Sequence, residues 1–231
     1  MASYLAQESL RISDQLKSEG NDHFRARRWE EALVAYRTGL GRLPKRRTPS
    51  SQPVADSADG VAPLSNEEED AASKVPDSAP AMTPEELDCA KARAVLNANI
   101  GACCVKLNDH QQAVEACTQA LLDDPNYVKA LQRRAASNEK LNTWSSLTAA
   151  QEDYTTLLNI LPSSSPEAKE IERSQVLLKL RLEAAQKTET DEMLGKLKGL
   201  GNSILGNFGL STDNFQFVPN GQGGYSMNFT R

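Results

Sequence analysis

Apolar positions along this chain fall into helical spacing three times over, in units that share one template. The first unit runs from Ser13 to about Arg46 and carries Leu16, Gly20, Phe24, Trp29, Ala32, Tyr36, Gly39, Leu40 and Pro44. The second starts at Ala94, with Asn97, Gly101, Val105, Ala113, Cys117, Ala120, Leu121 and Pro125. The third starts at Val128, with Leu131, Ala135, Leu141, Ala150, Tyr154, Leu157, Leu158 and Pro162. Each unit has a small residue near its eighth and twentieth positions and a proline near its thirty-second. Small residues at such spacing let two antiparallel helices approach closely, and the proline stops the second one.

The template also shows where the chain departs from it. Gly101 and Ala135 are 34 residues apart, whereas Gly20 and Gly101 are 81 apart, so 47 extra residues separate units one and two. Residues 48–82 are rich in Ser, Pro, Ala and Asp without apolar periodicity, and a disordered acidic loop is expected there. Thr83-Pro84-Glu85-Glu86 then signals a helix start, and that helix is expected to run to about Leu107. In unit three, Leu141 to Ala150 is nine residues where six is usual, which predicts a turn at 142–147 about three residues longer than its counterparts. Ser165-Pro166-Glu167 opens a further helix, whose stripe of Ile171, Val176, Leu177, Leu180 and Ala184 suits the open end of a repeat stack. A separate amphipathic helix is expected around Met193, Leu194, Leu197, Leu200, Ile204 and Leu205; it either caps or binds. From Phe208 the pattern changes to period two, with Phe215 and Phe217, then Tyr225, Met227 and Phe229, around Pro219-Asn220-Gly221: a short hairpin or an extended segment. The division is thus 1–47 for an N-terminal helix and repeat one, 48–82 for the loop, 83–162 for repeats two and three, 163–207 for capping and amphipathic helices, and 208–231 for a tail.

Composition narrows the function. Of 231 residues, 39% are hydrophobic and only 5% aromatic, which favours helices built on Leu, Ala and Ile. No apolar run is long enough to span a membrane and no signal-peptide pattern opens the chain, so a cytoplasmic protein is expected. The net charge of −5 is uneven: residues 51–90 hold ten acids and one base, leaving the rest at +4. A mildly basic body suits an anionic partner but is too weak for nucleic acid. Cys89, Cys103, Cys104 and Cys117 have no zinc spacing, and neighbouring cysteines on a helix face apart, so buried thiols are expected and no metal or other cofactor. His23 and His110 lack useful partners, Trp29 and Trp144 read as packing residues, and no nucleophile–base set is legible, so no enzyme is expected.

In the tetratricopeptide repeat, which this template resembles, positions 2, 5, 6 and 9 of each unit's first helix face a concave groove. Unit one has Lys17 and Asn21 there, unit two Asn99, unit three Lys129 and Arg133. Lys17 with Asn21, and Lys129 with Arg133, are four residues apart and share a face. Three cations and two amides are rich in donors, and such a set wants carboxylates. A chain end finishing in an acidic residue offers two carboxylates close together.

The template resembles the tetratricopeptide repeat, and the five groove residues resemble the dicarboxylate clamp of chaperone-binding cochaperones. The resemblance implies an all-α fold: three helix-turn-helix repeats in a right-handed superhelix with a C-terminal capping helix. It implies a groove for the Glu-Glu-Val-Asp tail of Hsp90 and/or Hsp70, with Lys17, Asn21 and Asn99 on the main-chain carboxylate, Lys129 on the last Asp side chain, and Arg133 on an upstream group. With its acidic segment and its tail at 209–216 and 223–229, the chain resembles fungal relatives within the tetratricopeptide repeat protein 1 family. That resemblance implies a cytoplasmic adaptor linked to chaperones and to a GTPase client; a monomer is expected. The alternative is a scaffold for another acidic peptide, with the chain's own Glu67–Asp70 as an autoinhibitory occupant.

Overall fold

A computed structural model of the chain describes residues 2–46, 82–219 and 225–229. The expected acidic loop, apart from Met82, lies outside them. Seven α-helices are described: α1 (Ala2–Arg25), α2 (Trp29–Arg42), α3 (Pro84–Lys106), α4 (His110–Asp123), α5 (Val128–Leu141), α6 (Trp144–Ile160) and α7 (Pro166–Gly206). A 3₁₀ turn at Thr212–Asn214 and a hairpin of β1 (Phe215–Pro219) and β2 (Tyr225–Phe229) follow.

The first six helices form three antiparallel pairs. Each helix packs on the next, and the first helices of successive pairs also touch, α1 on α3 and α3 on α5. Chain chemistry sets the boundaries. Thr83 caps α3 in a reciprocal capping box with Glu86, with Pro84 as the first helical residue. Asp109 accepts from the Gln112 N–H at 3.0 Å to start α4. Each of α1, α3 and α5 is followed by a left-handed residue, Arg27, Asn108 and Asn142, with φ near +60°; such a residue turns the chain sharply into the second helix.

Small residues decide the close approaches. A Cβ on Gly20 would lie 2.5 Å from Cε1 of Tyr36, and one on Gly101 would lie 2.6 Å from the Cys117 sulfur. Ala32, Ala113, Ala135 and Ala150 are fully buried in the same helix crossings. The core divides into two clusters, one around Tyr36, Leu96, Ile100 and Cys103, the other around Leu131, Leu147, Tyr154, Leu157 and Leu178. The helix between them, α3, is buried on most of its circumference, which is why its sequence shows the least amphipathic contrast of the repeat helices. All four cysteines are buried and unbridged.

Three expectations need correction. The turn of the third repeat is not longer: Thr143 caps α6 through the Ser146 N–H and hydroxyl, so the helix starts at Trp144 and the additional residues join its first turn. A hydroxyl residue placed three before another was enough to extend the helix rather than the loop. Second, no break separates the capping and amphipathic helices, because α7 is continuous over 41 residues. Third, α7 buries only Ile171 of the expected stripe. It seats Ala168, Ile171 and Leu178 against the stack, with Leu182 and Ala185 beside them, while Val176, Leu177 and Leu180 are each more than 60% exposed. Both faces are apolar in sequence, and Gln175 and Arg181, which bond to Thr155 and Glu139 on the stack, choose between them.

The period-two tail does form a hairpin, antiparallel, with Phe215 opposite Phe229 and Phe217 opposite Met227. It is tethered to α7 through Asn202, whose Oδ1 accepts from the Thr212 N–H and hydroxyl at 2.6 and 2.7 Å. A Cβ on Gly201 would meet the Thr212 methyl at 2.8 Å, so the close approach needs glycine.

Candidate functional site

The five sequence-selected residues stand on the three helices that pack side by side, Lys17 and Asn21 on α1, Asn99 on α3, and Lys129 and Arg133 on α5. Their states differ. Lys129 is exposed and Asn99 half-buried, and neither side chain has a hydrogen bond or ion pair among the described residues. Lys17 is one-third exposed and meets Asp14, one turn earlier on α1, at 2.5 Å. The Arg133 guanidinium donates from Nη1 to the Ala98 carbonyl on α3 at 2.8 Å, which spans the junction of repeats two and three. Asn21 accepts at Oδ1 from the Tyr36 hydroxyl at 2.7 Å.

Charge couples these residues across repeats. Burial pushes the Tyr36 hydroxyl up to about 12, the neighbouring Cys103 thiol adds to the shift, and the Arg133 and Arg25 guanidinia oppose it. Burial likewise pushes Cys103 up to about 12, again with Arg133 pulling back. Arg133 of the third repeat therefore acts electrostatically on side chains of the first and second. A thiol held protonated in this way is a poor nucleophile and a poor metal ligand. Among the described residues, no three of His, Cys, Asp and Glu gather as a metal site would require.

The chemistry available is donation. Asn99 and Lys129 have free N–H groups, Asn21 keeps its amide nitrogen after its oxygen is engaged, and Lys17 and Arg133 have unused protons beyond their single contacts. Beside Lys17 the extended N-terminal turns of α1 and α3 enclose a cleft of about 340 Å³, floored by Leu10, Val95 and Leu96 and edged by Arg11, Asp14 and Lys91.

Two contributors escape a sequence reading. Tyr36 looks like packing, and only the fixed offset of 15 residues to Asn21 across an antiparallel pair would have exposed the bond. Asp14 is an ordinary exposed acid until it is noticed three residues before Lys17.

Comparison with known proteins follows the same lines. No family model matches the chain. FK506-binding protein 5 of Rhizopus delemar is 30% identical over 161 residues, which is 69% of this chain and 33% of that protein. The chain thus spans about a third or less of the length of the curated relatives it matches. Among solved structures, the C-terminal TPR-containing domain of a Plasmodium falciparum FK506-binding protein superposes with a TM-score of 0.53 at 20% identity, covering 79% of this chain and 95% of that one. Yeast Tom70 gives 0.50 at 20% identity, covering 78% of this chain and 26% of that one. The likeness is one of fold, and the fold is that of a tetratricopeptide-repeat domain.

Proposed function

We propose that this three-repeat tetratricopeptide domain is an adaptor that captures the free carboxyl end of an acidic peptide, the Glu-Glu-Val-Asp tail of Hsp90 or Hsp70 being the occupant that its groove suits. The observation that supports this most is the placement of Lys17, Asn21, Asn99, Lys129 and Arg133 on α1, α3 and α5, with Asn99 and Lys129 unengaged. Lys17, Asn21 and Asn99 would hold the main-chain carboxylate and Lys129 the last Asp side chain. Arg133, whose second nitrogen remains free, would take a group further upstream. The ion pair with Asp14 is exchanged for the ligand, which costs little because an exposed pair contributes little.

Calorimetric titration with a peptide ending in Glu-Glu-Val-Asp, beside its C-terminally amidated form, tests this. Binding of roughly micromolar strength that is strongly weakened by amidation and weakened by salt is expected. Lys17→Ala and Arg133→Ala should each weaken binding several-fold or more. Equal affinity for acid and amide would sink the reading, and so would indifference to both substitutions.

A second function is suggested by the far half of α7. Met193, Leu194, Leu197, Leu200 and Ile204 are all more than half exposed, and no helix covers them among the described residues. As part of the adaptor they would engage a client, a GTPase if the chain is of the tetratricopeptide repeat protein 1 type. Charge substitutions at Leu197 and Leu200 should then abolish GTPase binding while leaving the tail peptide's affinity unchanged. Retained binding would remove the client from the proposal.

A further inference from the structure

An asparagine in an anion-binding groove is chemically ambiguous. One side of its amide offers two N–H donors and the other a carbonyl oxygen, so the first side attracts a carboxylate and the second repels it. Which side meets a ligand depends on what holds the other. In the first repeat, the holder is Tyr36. Its ring is buried and fills the space over Gly20, where even a methyl group would collide, so its hydroxyl position is fixed by packing. That hydroxyl donates to Oδ1 of Asn21 at 2.7 Å and has no other hydrogen-bond partner among the described residues. Turning the amide over would leave the phenolic hydrogen buried without an acceptor, which is costly.

We propose that Tyr36 is a specificity-determining positioning residue: by engaging Oδ1 of Asn21 it turns the amide nitrogen toward the groove, so that this end of the site accepts a carboxylate and rejects a carboxamide. The inference rests on the carboxylate-binding reading above. The phenol suits the task because burial keeps it protonated at neutral pH, so it remains a donor. Without its hydroxyl, Asn21 is free to present either face and adapts to a carboxamide as readily as to an acid.

The test is Tyr36→Phe in the full chain, which keeps the ring over Gly20 and removes one oxygen. The quantity measured is the ratio of affinities for the acid and amide forms of the acidic peptide. The expected result is that acid binding weakens about five- to tenfold while the weaker amide binding is unchanged or improves, so the ratio falls. In an Asn21→Ala background, Tyr36→Phe should have no further effect. Tyr154→Phe, the same change in the third repeat, should leave the ratio alone. An unchanged ratio in Tyr36→Phe overturns the proposal, as does an equal loss for both peptides or an effect that persists without Asn21. If the parent protein itself fails to prefer the acid, the carboxylate reading falls and takes this inference with it; a parent that discriminates beside an equally discriminating Tyr36→Phe condemns the positioning role alone.

Discussion

The first and third repeats use the same residue type to engage different partners. Each has a buried tyrosine on its second helix, and each tyrosine donates to a residue 15 positions earlier on its first helix. In the first repeat the acceptor is Asn21, at the ninth position, one of the residues proposed to bind the peptide. In the third repeat that position is Ala136, which has no acceptor. The hydroxyl of Tyr154 instead reaches Glu139, one turn on, at 2.5 Å. Glu139 in turn holds Arg181 of α7 at 2.6 Å, and Arg181 also donates to the Glu139 carbonyl and to Asn142. So the third repeat spends its tyrosine on fastening the C-terminal helix. Two positions differ between the repeats, Asn21 against Ala136 and Phe24 against Glu139, and together they decide which acceptor the tyrosine meets. The repeat template sets where a tyrosine lies; the neighbouring positions set what it does.

The two ends are also joined to the body differently. The first repeat is tied to the second by Asp123, nearly fully buried, which accepts from both Arg93 and Arg46 while Arg93 donates to the Pro44 carbonyl. The third is tied to α7 by the more exposed Arg181–Glu139 pair. Asp123→Ala strands two cations around a buried site and should cost about 3–5 kcal/mol, visible in chemical denaturation. The Arg46 and Arg93 guanidinia outweigh burial and hold the Asp123 carboxyl below its ordinary value of 3.8. Its contribution is therefore fully present above that value and is lost as pH falls through the lower folded one. Acid denaturation of the parent protein compared with Asp123→Asn should show the difference in stability shrinking below about pH 4; a difference independent of pH would refute this account of the junction.

Gly20→Ala is the next largest change. It forces the Tyr36 ring aside and should cost about 1–3 kcal/mol, together with some loss of acid-over-amide preference. The third repeat already carries a methyl group at this point in Ala135, fully buried, so reversing it to Gly removes a packed methyl and should leave the preference unaltered. Equal effects on recognition would erase the contrast between the repeats.

Arg181→Ala should loosen α7 rather than the groove. The pair is partly exposed, so the loss is about 1 kcal/mol or somewhat less, with hydrogen exchange accelerating in 166–185 and peptide affinity unchanged. A fall in affinity would mean that the cap and groove are coupled. The smallest effect belongs to Gly195→Ala, where nothing lies within 4 Å of the added Cβ. Replacing a helix-interior glycine there should add about 0.5–1 kcal/mol of helix stability, detected as slower exchange in the far half of α7.

Much of the fold is legible because its rules are local. The spacing of Gly20, Gly101 and Ala135, the prolines at 44, 125 and 162, and the cap signals at Thr83 and Ser165 each act within a few residues of themselves. The groove candidates are legible for the same reason: a position in a helical repeat fixes a direction. What escaped was any choice between two locally acceptable answers. The residues 142–147 satisfy either a long turn or an additional helical turn, and Ser146 favours the latter. From Ile171 onward, Val176, Leu177 and Leu180 continue as good a stripe as Leu178 and Leu182 until the stack offers Thr155 and Glu139 to one side only.

The sequence by itself determined three helical pairs, their boundaries except the start of α6, and which side chains share a face, since those follow from backbone geometry and capping over a few bonds. The tertiary structure alone decided which face of α7 is buried, that Asp123 binds arginines from two segments, and that Tyr36 holds the oxygen of Asn21. Those outcomes depend on which donor meets which acceptor across a helix crossing, and a buried polar group leaves no freedom once its partner is in place.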